Sequence, residues 1–125
     1  MTMNVVMLGA TKGMGRALSR LLSERGDRLF LLGRDVEDLA RSAADLRIRS
    51  GKDAEVGLAP CDLEQPGTFS AALAAAWQAL GRVDAVVVTA GVFATQEQLE
   101  ADIERTEQLL RVNFVNTVLF CEEAR

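Results

Sequence analysis

The sequence predicts an α/β fold, a doubly wound parallel β-sheet with helices on both faces. Its first half alternates short β-rich runs with longer helical patterns, which is typical of βαβ units. The first run, NVVML, is apolar at consecutive positions, as a strand covered on both faces must be. The glycine cluster GATKGMG follows this run directly, where the first helix is expected to begin.

Length and composition indicate one globular domain over residues 1–125 with a single core. The chain is 49% hydrophobic and 26% charged, which is ordinary for such a domain. Fourteen basic and eighteen acidic side chains give a net charge of -4. This acidic balance argues against a general nucleic-acid surface.

The apolar runs are much shorter than the roughly 20 residues of a membrane-spanning helix. The N-terminal segment MTMNVVMLG has no basic leader, so we expect no signal peptide, no membrane partner and a cytoplasmic location. The chain has no histidine, and Cys61 and Cys121 form no CxxC pair. These features argue against a zinc site or a histidine-based triad, and no metal is expected. Both cysteines are predicted to be buried free thiols.

The first strand is predicted over Asn4 to Leu8, and a helix begins inside the glycine cluster. Gly26 lies where a left-handed cap would end that helix. Helical spacing predicts that its apolar stripe consists of Met14, Ala17, Leu18, Leu21 and Leu22.

The second strand is predicted over Arg28 to Leu32, and Asp35 is the expected N-cap of the next helix. Gly51 would end this helix as Gly26 ends the previous one. Its inner stripe is predicted to consist of Val36, Leu39, Ala40, Ala43 and Leu46.

The third strand, EVGLA, is expected to begin at Glu55 and to end at Pro60, and an alanine-rich helix over 68–80 would stop at Gly81. The fourth strand is predicted over 85–88. Thr95 and Gln98 form a possible capping box for the last helical region, which continues through LLRVNFVNTVLFCEEA. Right-handed crossovers give the expected strand order 3-2-1-4, and the predicted fold stops after this fourth long helix.

Gly9, Gly13 and Gly15 lie between the first strand and the first helix. The free N–H groups and the dipole of a helix N-terminus attract phosphate, and a side chain here would keep an anion away from the backbone. The spacing G-x-x-x-G-x-G differs from the P-loop and from G-x-G-x-x-G. Because glycines also serve turns, a purely structural role stays open at this point.

Three further motifs accompany the glycines. GRVDAVVVTAG is similar to a fourth strand that leads into Asn-Asn-Ala-Gly, CDLEQP places Asp62 after the third strand, and LLRVNFVNT carries Asn113. In this order the motifs resemble the short-chain dehydrogenase/reductase family, which has a Rossmann-like fold. Departures from the family pattern are Leu8 for a threonine, and Val88 and Thr89 for the two asparagines.

The resemblance implies a role for each matching residue. The glycine turn would hold a pyrophosphate, Thr11 and Lys12 would lie near the phosphates, and Asn113 would serve a catalytic proton relay. The remaining implied cofactor contacts are Met14 at the helix start, Arg34 at a 2′-phosphate, Asp62 with Leu63 at the adenine, Ala90 with Gly91 toward the nicotinamide ribose, and Thr89 beside them. Asp62 could also cap the following helix. Asn113 occupies a helix interior, where asparagine is not favoured, and this supports a specific role.

The end of the second strand bears on the choice of dinucleotide. Gly33 takes the position where an acidic residue would bind the NAD ribose, and Arg34 follows it. In the resembling family this pattern implies NADP(H), and Lys12 adds a second cation. A register shift that brings Asp35 to the ribose would favour NAD(H) instead. We expect NADP(H) to be preferred.

The family's Tyr-x-x-x-Lys proton donor has no match, because the chain contains no tyrosine and its only lysines are Lys12 and Lys52. The sequence resembles the cofactor-binding front half of a reductase, and as written it should not catalyse hydride transfer. The alternatives are a non-catalytic dinucleotide-binding sensor or assembly module, and a domain that keeps the fold but binds nothing.

The outer edge of the fourth strand would present unpaired backbone groups. The last helix has more apolar positions than one stripe needs, namely Leu109, Leu110, Val112, Val115, Val118, Leu119 and Phe120. Both features predict a homo-oligomer formed through that edge or that helix.

Overall fold

A computed structural model describes residues 2–51 and 56–125. The four strands are β1 (Asn4–Leu8), β2 (Arg28–Gly33), β3 (Gly57–Pro60) and β4 (Ala85–Val88). The α-helices are α1 (Gly13–Arg25), α2 (Val36–Ser50), α3 (Phe69–Leu80), α4 (Gln96–Ala101), α5 (Ile103–Leu110) and α6 (Thr117–Ala124). A 3₁₀ turn (Pro66–Thr68) precedes α3, and a π-helical segment (Arg111–Asn116) joins α5 to α6.

The sheet is parallel, and its strand order β3-β2-β1-β4 confirms the predicted order and fold class. In the centre of the sheet, Met7 of β1 lies opposite Leu31 of β2 and Val87 of β4. Because the strands are parallel, the loops that follow them all leave from one edge of the sheet.

Two hydrophobic clusters cover the two faces of the sheet. Val6 and Leu8 of β1 belong to the cluster with α3 and α6, where the rings of Phe69 and Phe120 pack edge to face with centroids 5.3 Å apart. Val5 and Met7 belong to the cluster with α2 on the opposite face. Successive β1 side chains therefore face different cores, and this explains the unbroken apolar run.

The predicted helix ends are confirmed. Gly26 and Gly51 cap α1 and α2 in left-handed conformation, with φ of 99° and 63°. The Asp35 side chain accepts a hydrogen bond of 3.1 Å from the N–H of Asp38. Thr95 and Gln98 form the expected capping box. The predicted start of the third strand at Glu55 lies outside the described residues, as does Lys52.

The apolar stripe of α1 differs from the prediction. Met14 is 82% exposed and Leu21 is 65% exposed, whereas Ser19 and Ser23 are buried. The hydroxyl of Ser23 donates to the Leu46 carbonyl of α2 (2.8 Å), so small polar side chains let the two helices approach closely. In α2 the stripe holds at Leu39, Ala43 and Leu46, but Val36 and Ala40 are exposed.

The last helical region is not one continuous helix. Asp102 interrupts it, because its side chain accepts hydrogen bonds from the N–H groups of Glu104 and Arg105 and so starts α5 afresh. The predicted burial of both cysteines is also wrong in one case. Cys61 is buried, but Cys121 is exposed because it lies on the outer side of α6.

Candidate functional site

The loops that follow the four strands surround a cleft of about 360 Å³ at the carboxyl edge of the sheet. Nine of the thirteen predicted site residues line it: Gly9, Thr11, Lys12, Arg34, Asp62, Leu63, Thr89, Ala90 and Gly91. The other four are Gly13, Met14 and Gly15 in the first turn of α1, and Asn113 on the π-helical segment. An open α/β sheet binds ligands at this edge, between strands whose connections run in opposite directions.

Two glycines of the turn are required by packing. A Cβ on Gly9, which has a φ of 117°, would overlap the Thr89 side chain and lie 2.5 Å from the Ala90 nitrogen. A Cβ on Gly15 would overlap the carbonyl oxygen of Gly9. The structural role left open by the sequence therefore applies to Gly9 and Gly15, which let the turn lie against the end of β4.

Gly13 is different, because its surroundings are open. It has a left-handed φ of 55°, and a Cβ built on it would meet no atom within 4 Å. It is the first residue of α1, whose N-cap Lys12 makes no side-chain capping bond and whose first turn has no acidic residue. The N-terminus of α1 is thus open for an anion.

Thr89 joins the end of β4 to the glycine turn. Its hydroxyl donates to the Gly9 oxygen (3.2 Å), and the N–H groups of Thr89 and Ala90 both donate to the Leu8 oxygen, at 2.9 and 3.1 Å. Thr89 thus bonds the glycine turn through its side chain and the end of β1 through its main chain.

The charges at the cleft are unevenly paired. In the described part of the chain, Lys12 and Arg34 are exposed and form no ion pair with another residue. The acidic residues are engaged locally, since Asp35 caps α2 and Asp38 forms an ion pair with Arg41. The cleft therefore has two cations available for an anionic ligand.

The loop after β3 has its own hydrogen bonds. The Asp62 side chain accepts from the N–H of Glu64 (2.9 Å), so it caps a turn of this loop and not α3. The Asp62 N–H donates to the Thr68 hydroxyl (3.0 Å). Burial raises the pKa of the neighbouring Cys61 thiol, which keeps it protonated and apolar in the cleft wall.

The Asn113 amide forms two hydrogen bonds with the main chain of one residue, Val92. Its Oδ1 accepts from the N–H of Val92 (2.8 Å), and its Nδ2 donates to the Val92 oxygen (2.7 Å). A Cβ on Gly91 would lie 2.8 Å from this Oδ1, so Gly91 permits the approach. Asn113 thus fixes the loop after β4 from a π-helical turn, a geometry that is frequent at functional sites.

Several residues in the cleft wall or bonded to it escaped the sequence-based reasoning. The Arg16 guanidinium donates to the Thr11 oxygen through Nε (3.0 Å) and Nη2 (2.6 Å), and its only signal was its position after the third glycine. Val92 and Val112 also line the cleft, without a local pattern that marks them. Asn116 contacts the loop after β3, and only a long-range contact reveals it.

Among residues 2–51 and 56–125, no three histidine, cysteine or acidic side chains are grouped as metal ligands would be. The same residues contain no helix with the length and hydropathy needed to cross a bilayer.

The fold and the cleft define an open α/β protein with an open glycine turn at its carboxyl edge. A profile of the family described as short chain dehydrogenase matches residues 3–125. The chain therefore belongs to the short-chain dehydrogenase/reductase family, a family of oxidoreductases that bind a nicotinamide dinucleotide.

Curated relatives share about a third of the aligned residues. The chain is 34% identical over 118 residues to granaticin polyketide synthase ketoacyl reductase 1 of Streptomyces violaceoruber, an alignment that covers 94% of this chain and 42% of that protein. It is 30% identical over 115 residues to dehydrogenase/reductase SDR family member 7B of Mus musculus, covering 91% and 36%. The chain thus spans less than half the length of these relatives.

Solved structures agree on the fold. A short-chain type dehydrogenase/reductase from Mycobacterium ulcerans superposes with a TM-score of 0.86 at 21% identity, covering 98% of this chain and 45% of that one. An F189W variant of actinorhodin polyketide ketoreductase, solved with NADPH, gives a TM-score of 0.87 at 24% identity, covering 98% and 46%.

Proposed function

We propose that this chain is the NADP(H)-binding part of a reductase that interconverts ketones and alcohols. The observation that carries the proposal is the open turn at Gly13, where the uncapped N-terminus of α1 meets the cleft. The proposal that the substrate is a ketone or an alcohol is supported by a relative that is named as a ketoacyl reductase.

The residues present fit a dinucleotide. A Cβ at Gly13 would enter open space at the proposed anion site, and Lys12 beside it forms no ion pair with any residue that the structure describes. In the proposed complex the amides of Gly13, Met14 and Gly15, with Thr11, hold the pyrophosphate. Asp62 with Leu63 forms the adenine wall. Thr89, Ala90 and Gly91 lie toward the nicotinamide ribose.

The bound dinucleotide would supply or accept a hydride. The proposed part of Asn113 in a proton relay is one of positioning, because its amide is committed to the main chain of Val92. The sequence contains no tyrosine, so these 125 residues lack the family's proton donor. We infer that they bind cofactor without reducing a carbonyl on their own.

The preference for NADP(H) over NAD(H) is supported by charge. Arg34 and Lys12 would face the 2′-phosphate, and Asp35, whose register shift would favour NAD(H), is engaged as the cap of α2. A groove of about 300 Å³ between α1 and α2 adjoins Lys12 and is lined by Arg16, Arg20 and Arg41 against Asp38 and Asp45. This surplus of cations favours a dianion over a ribose hydroxyl.

The test compares dissociation constants for NADPH and NADH in the wild type and in Arg34→Gln. Loss of a charge-assisted contact should weaken NADPH about tenfold or more and leave NADH within about twofold. Arg47→Gln, an exposed arginine on the same α2 helix, is the matched control and should change neither constant. NADH binding as tight as that of NADPH in the wild type would contradict the preference.

A second candidate function is a dinucleotide-binding sensor or assembly module without turnover, which the lack of tyrosine favours. Both candidates require NADPH binding, whereas a domain that binds nothing would show none. Coding sequence for Tyr-x-x-x-Lys in continuity with Arg125 would favour the reductase over the sensor.

We further propose that the chain is cytoplasmic and forms a homo-oligomer. The location is supported by the two free cysteines in the described residues. Association is supported by the position of β4 at one end of the sheet order and by exposed apolar side chains on the C-terminal helices.

A further inference from the structure

Asn116 is a buried polar side chain at the end of the π-helical segment. It is 3% exposed, and its Nδ2 donates a hydrogen bond of 2.8 Å to the main-chain oxygen of Leu63. The two residues are 53 positions apart in sequence. Because a buried amide is costly without a partner, this bond favours one position of the loop after β3.

The loop that Asn116 contacts forms one wall of the cleft through Asp62, Leu63 and Glu64. Cys61, just after β3, is still hydrogen-bonded to the sheet, since its N–H donates to the Gly33 oxygen of β2 (2.8 Å). Beyond Cys61 the loop is bonded on one side by Thr68. On the other side the bond from Asn116 ties it to the helical layer, so the position of this wall depends on that bond.

The same helical layer makes two related contacts. Gln108 of α5 donates through Nε2 to the Glu64 carboxylate (2.8 Å), next to the Asn116 bond. Asn113, which precedes Asn116 in the π-helical segment, bonds the loop after β4 at Val92. The segment thus bonds the loops on both sides of the cleft.

We propose that Asn116 is a positioning residue for the adenine end of the cleft, an inference that rests on the proposed dinucleotide binding. Its amide fixes the position of Asp62 and Leu63 in the free protein. The loop after β3 therefore does not need to reorder when the adenine binds. Preorganisation of this kind raises affinity because less conformational entropy is lost on binding.

The alternative is that Asn116 only stabilises the π-helical segment. Thr117→Val is the matched control, because the Thr117 hydroxyl donates to the Val112 oxygen of the segment (2.9 Å) and, among the described residues, forms no hydrogen bond with the loop after β3. The test variants are Asn116→Leu, which removes the amide at similar volume, and Asn116→Asp, which keeps the shape and lacks the Nδ2 donor.

The first measurement titrates three ligands: NADPH, 2′,5′-ADP as the adenine end, and reduced nicotinamide mononucleotide as the other end. We expect both Asn116 variants to weaken NADPH and 2′,5′-ADP by about fivefold, the loss of one hydrogen bond, and to leave the mononucleotide unchanged. Equal losses for all three ligands, or equal losses in Thr117→Val, would overturn the positioning role.

The second measurement needs no ligand and so separates this inference from the proposed function. The N–H groups of Glu64 and Gln65 bond to Asp62 within the loop, at 2.9 and 2.8 Å. Their amide hydrogen exchange in the free chain should accelerate about fivefold in Asn116→Leu and stay unchanged in Thr117→Val. Unchanged exchange in Asn116→Leu would overturn the inference, whereas absent NADPH binding in the wild type would overturn only the function.

Discussion

At the scale of single residues, the three glycines of the turn have two different functions. Gly9 and Gly15 have no room for a side chain, because Thr89 and the Gly9 carbonyl occupy the space. Gly13 has room, and what it keeps free is the approach to the N-terminus of α1. The same residue type therefore supports packing at two positions and the proposed binding at the third.

This difference predicts opposite effects of alanine substitutions. Gly13→Ala should cost about 1 kcal/mol of unfolding free energy, the strain of a left-handed alanine, yet abolish most NADPH binding. Gly15→Ala should destabilise the fold by about 3 kcal/mol, because its Cβ overlaps backbone. Denaturant unfolding and an NADPH titration measure both effects. Unaltered NADPH affinity in Gly13→Ala would refute the role given to the turn.

Sequence reasoning reaches the residues of the site only where a local pattern marks them. Gly9, Arg34 and Asp62 each follow a strand, and the carboxyl ends of parallel strands meet at one edge, so strand positions alone place them in one cleft. The partners of Asn113 and Asn116 could not be predicted in this way. Their bonds to Val92 and Leu63 depend on how the helical layer packs onto the sheet.

At the scale of elements, the strands followed from the sequence and the last helix did not. A strand covered on both faces has a distinct apolar run, as in β1 and β4. The break before α5 depends on Asp102, whose role as a cap is hidden within a helical pattern. No local sequence pattern predicts the π-helical segment, because the hydrogen bonds of Asn113 and Asn116 in this segment go to residues far away in the sequence.

Asp84 joins the amino ends of β1 and β4, at the edge of the sheet away from the cleft. Its carboxylate accepts from the N–H of Asn4 (2.8 Å), and Arg82 pairs with it at 3.1 Å. The Asn4 N–H, with Arg82 as a further cause, holds the pKa of Asp84 below its ordinary value. A lowered pKa stabilises the fold above the unfolded-state value near 3.9, and this stabilisation is lost as the pH falls through the folded-state pKa.

We therefore expect Asp84→Asn to unfold at lower denaturant concentration than the wild type at pH 7. The difference should shrink as the pH falls below about 4, where the unfolded chain binds the proton first, and should vanish once the pH passes the lowered pKa of the folded state. Urea unfolding of both proteins between pH 7 and pH 3 measures this. A difference in midpoint that stays constant over this range would contradict the role of the charge.

At the scale of the whole molecule, two surfaces are exposed in the last third of the chain: the outer edge of β4 and the apolar side of the C-terminal helices. β4 pairs with β1 alone among the described strands. The exposed apolar residues after β4 are Phe93 in the loop before α4 and, in the C-terminal helical region, Ile103, Leu110, Phe114, Val115, Val118 and Leu119. Phe114 and Val118 are four residues apart, and so are Val115 and Leu119. Residues at this spacing are neighbours on one side of a helix.

The C-terminal helices should mediate self-association. Leu119→Glu should shift the chain toward monomer, because a charge on this surface opposes burial against a second copy. Ile48→Glu is the control, since Ile48 is also exposed but lies on α2. Sedimentation velocity over a range of concentrations measures the change. A wild-type chain that sediments as a monomer at all concentrations would contradict the proposed homo-oligomer.

The central claim is that the open turn at the start of α1 binds the phosphates of NADP(H). Amide ¹H–¹⁵N spectra of the free chain and of the chain with NADPH test it most directly. We expect the signals of Gly13, Met14 and Gly15 to shift in a saturable manner, because phosphate oxygens would accept hydrogen bonds from these amides. The claim would be contradicted if these three signals stayed in place at millimolar NADPH.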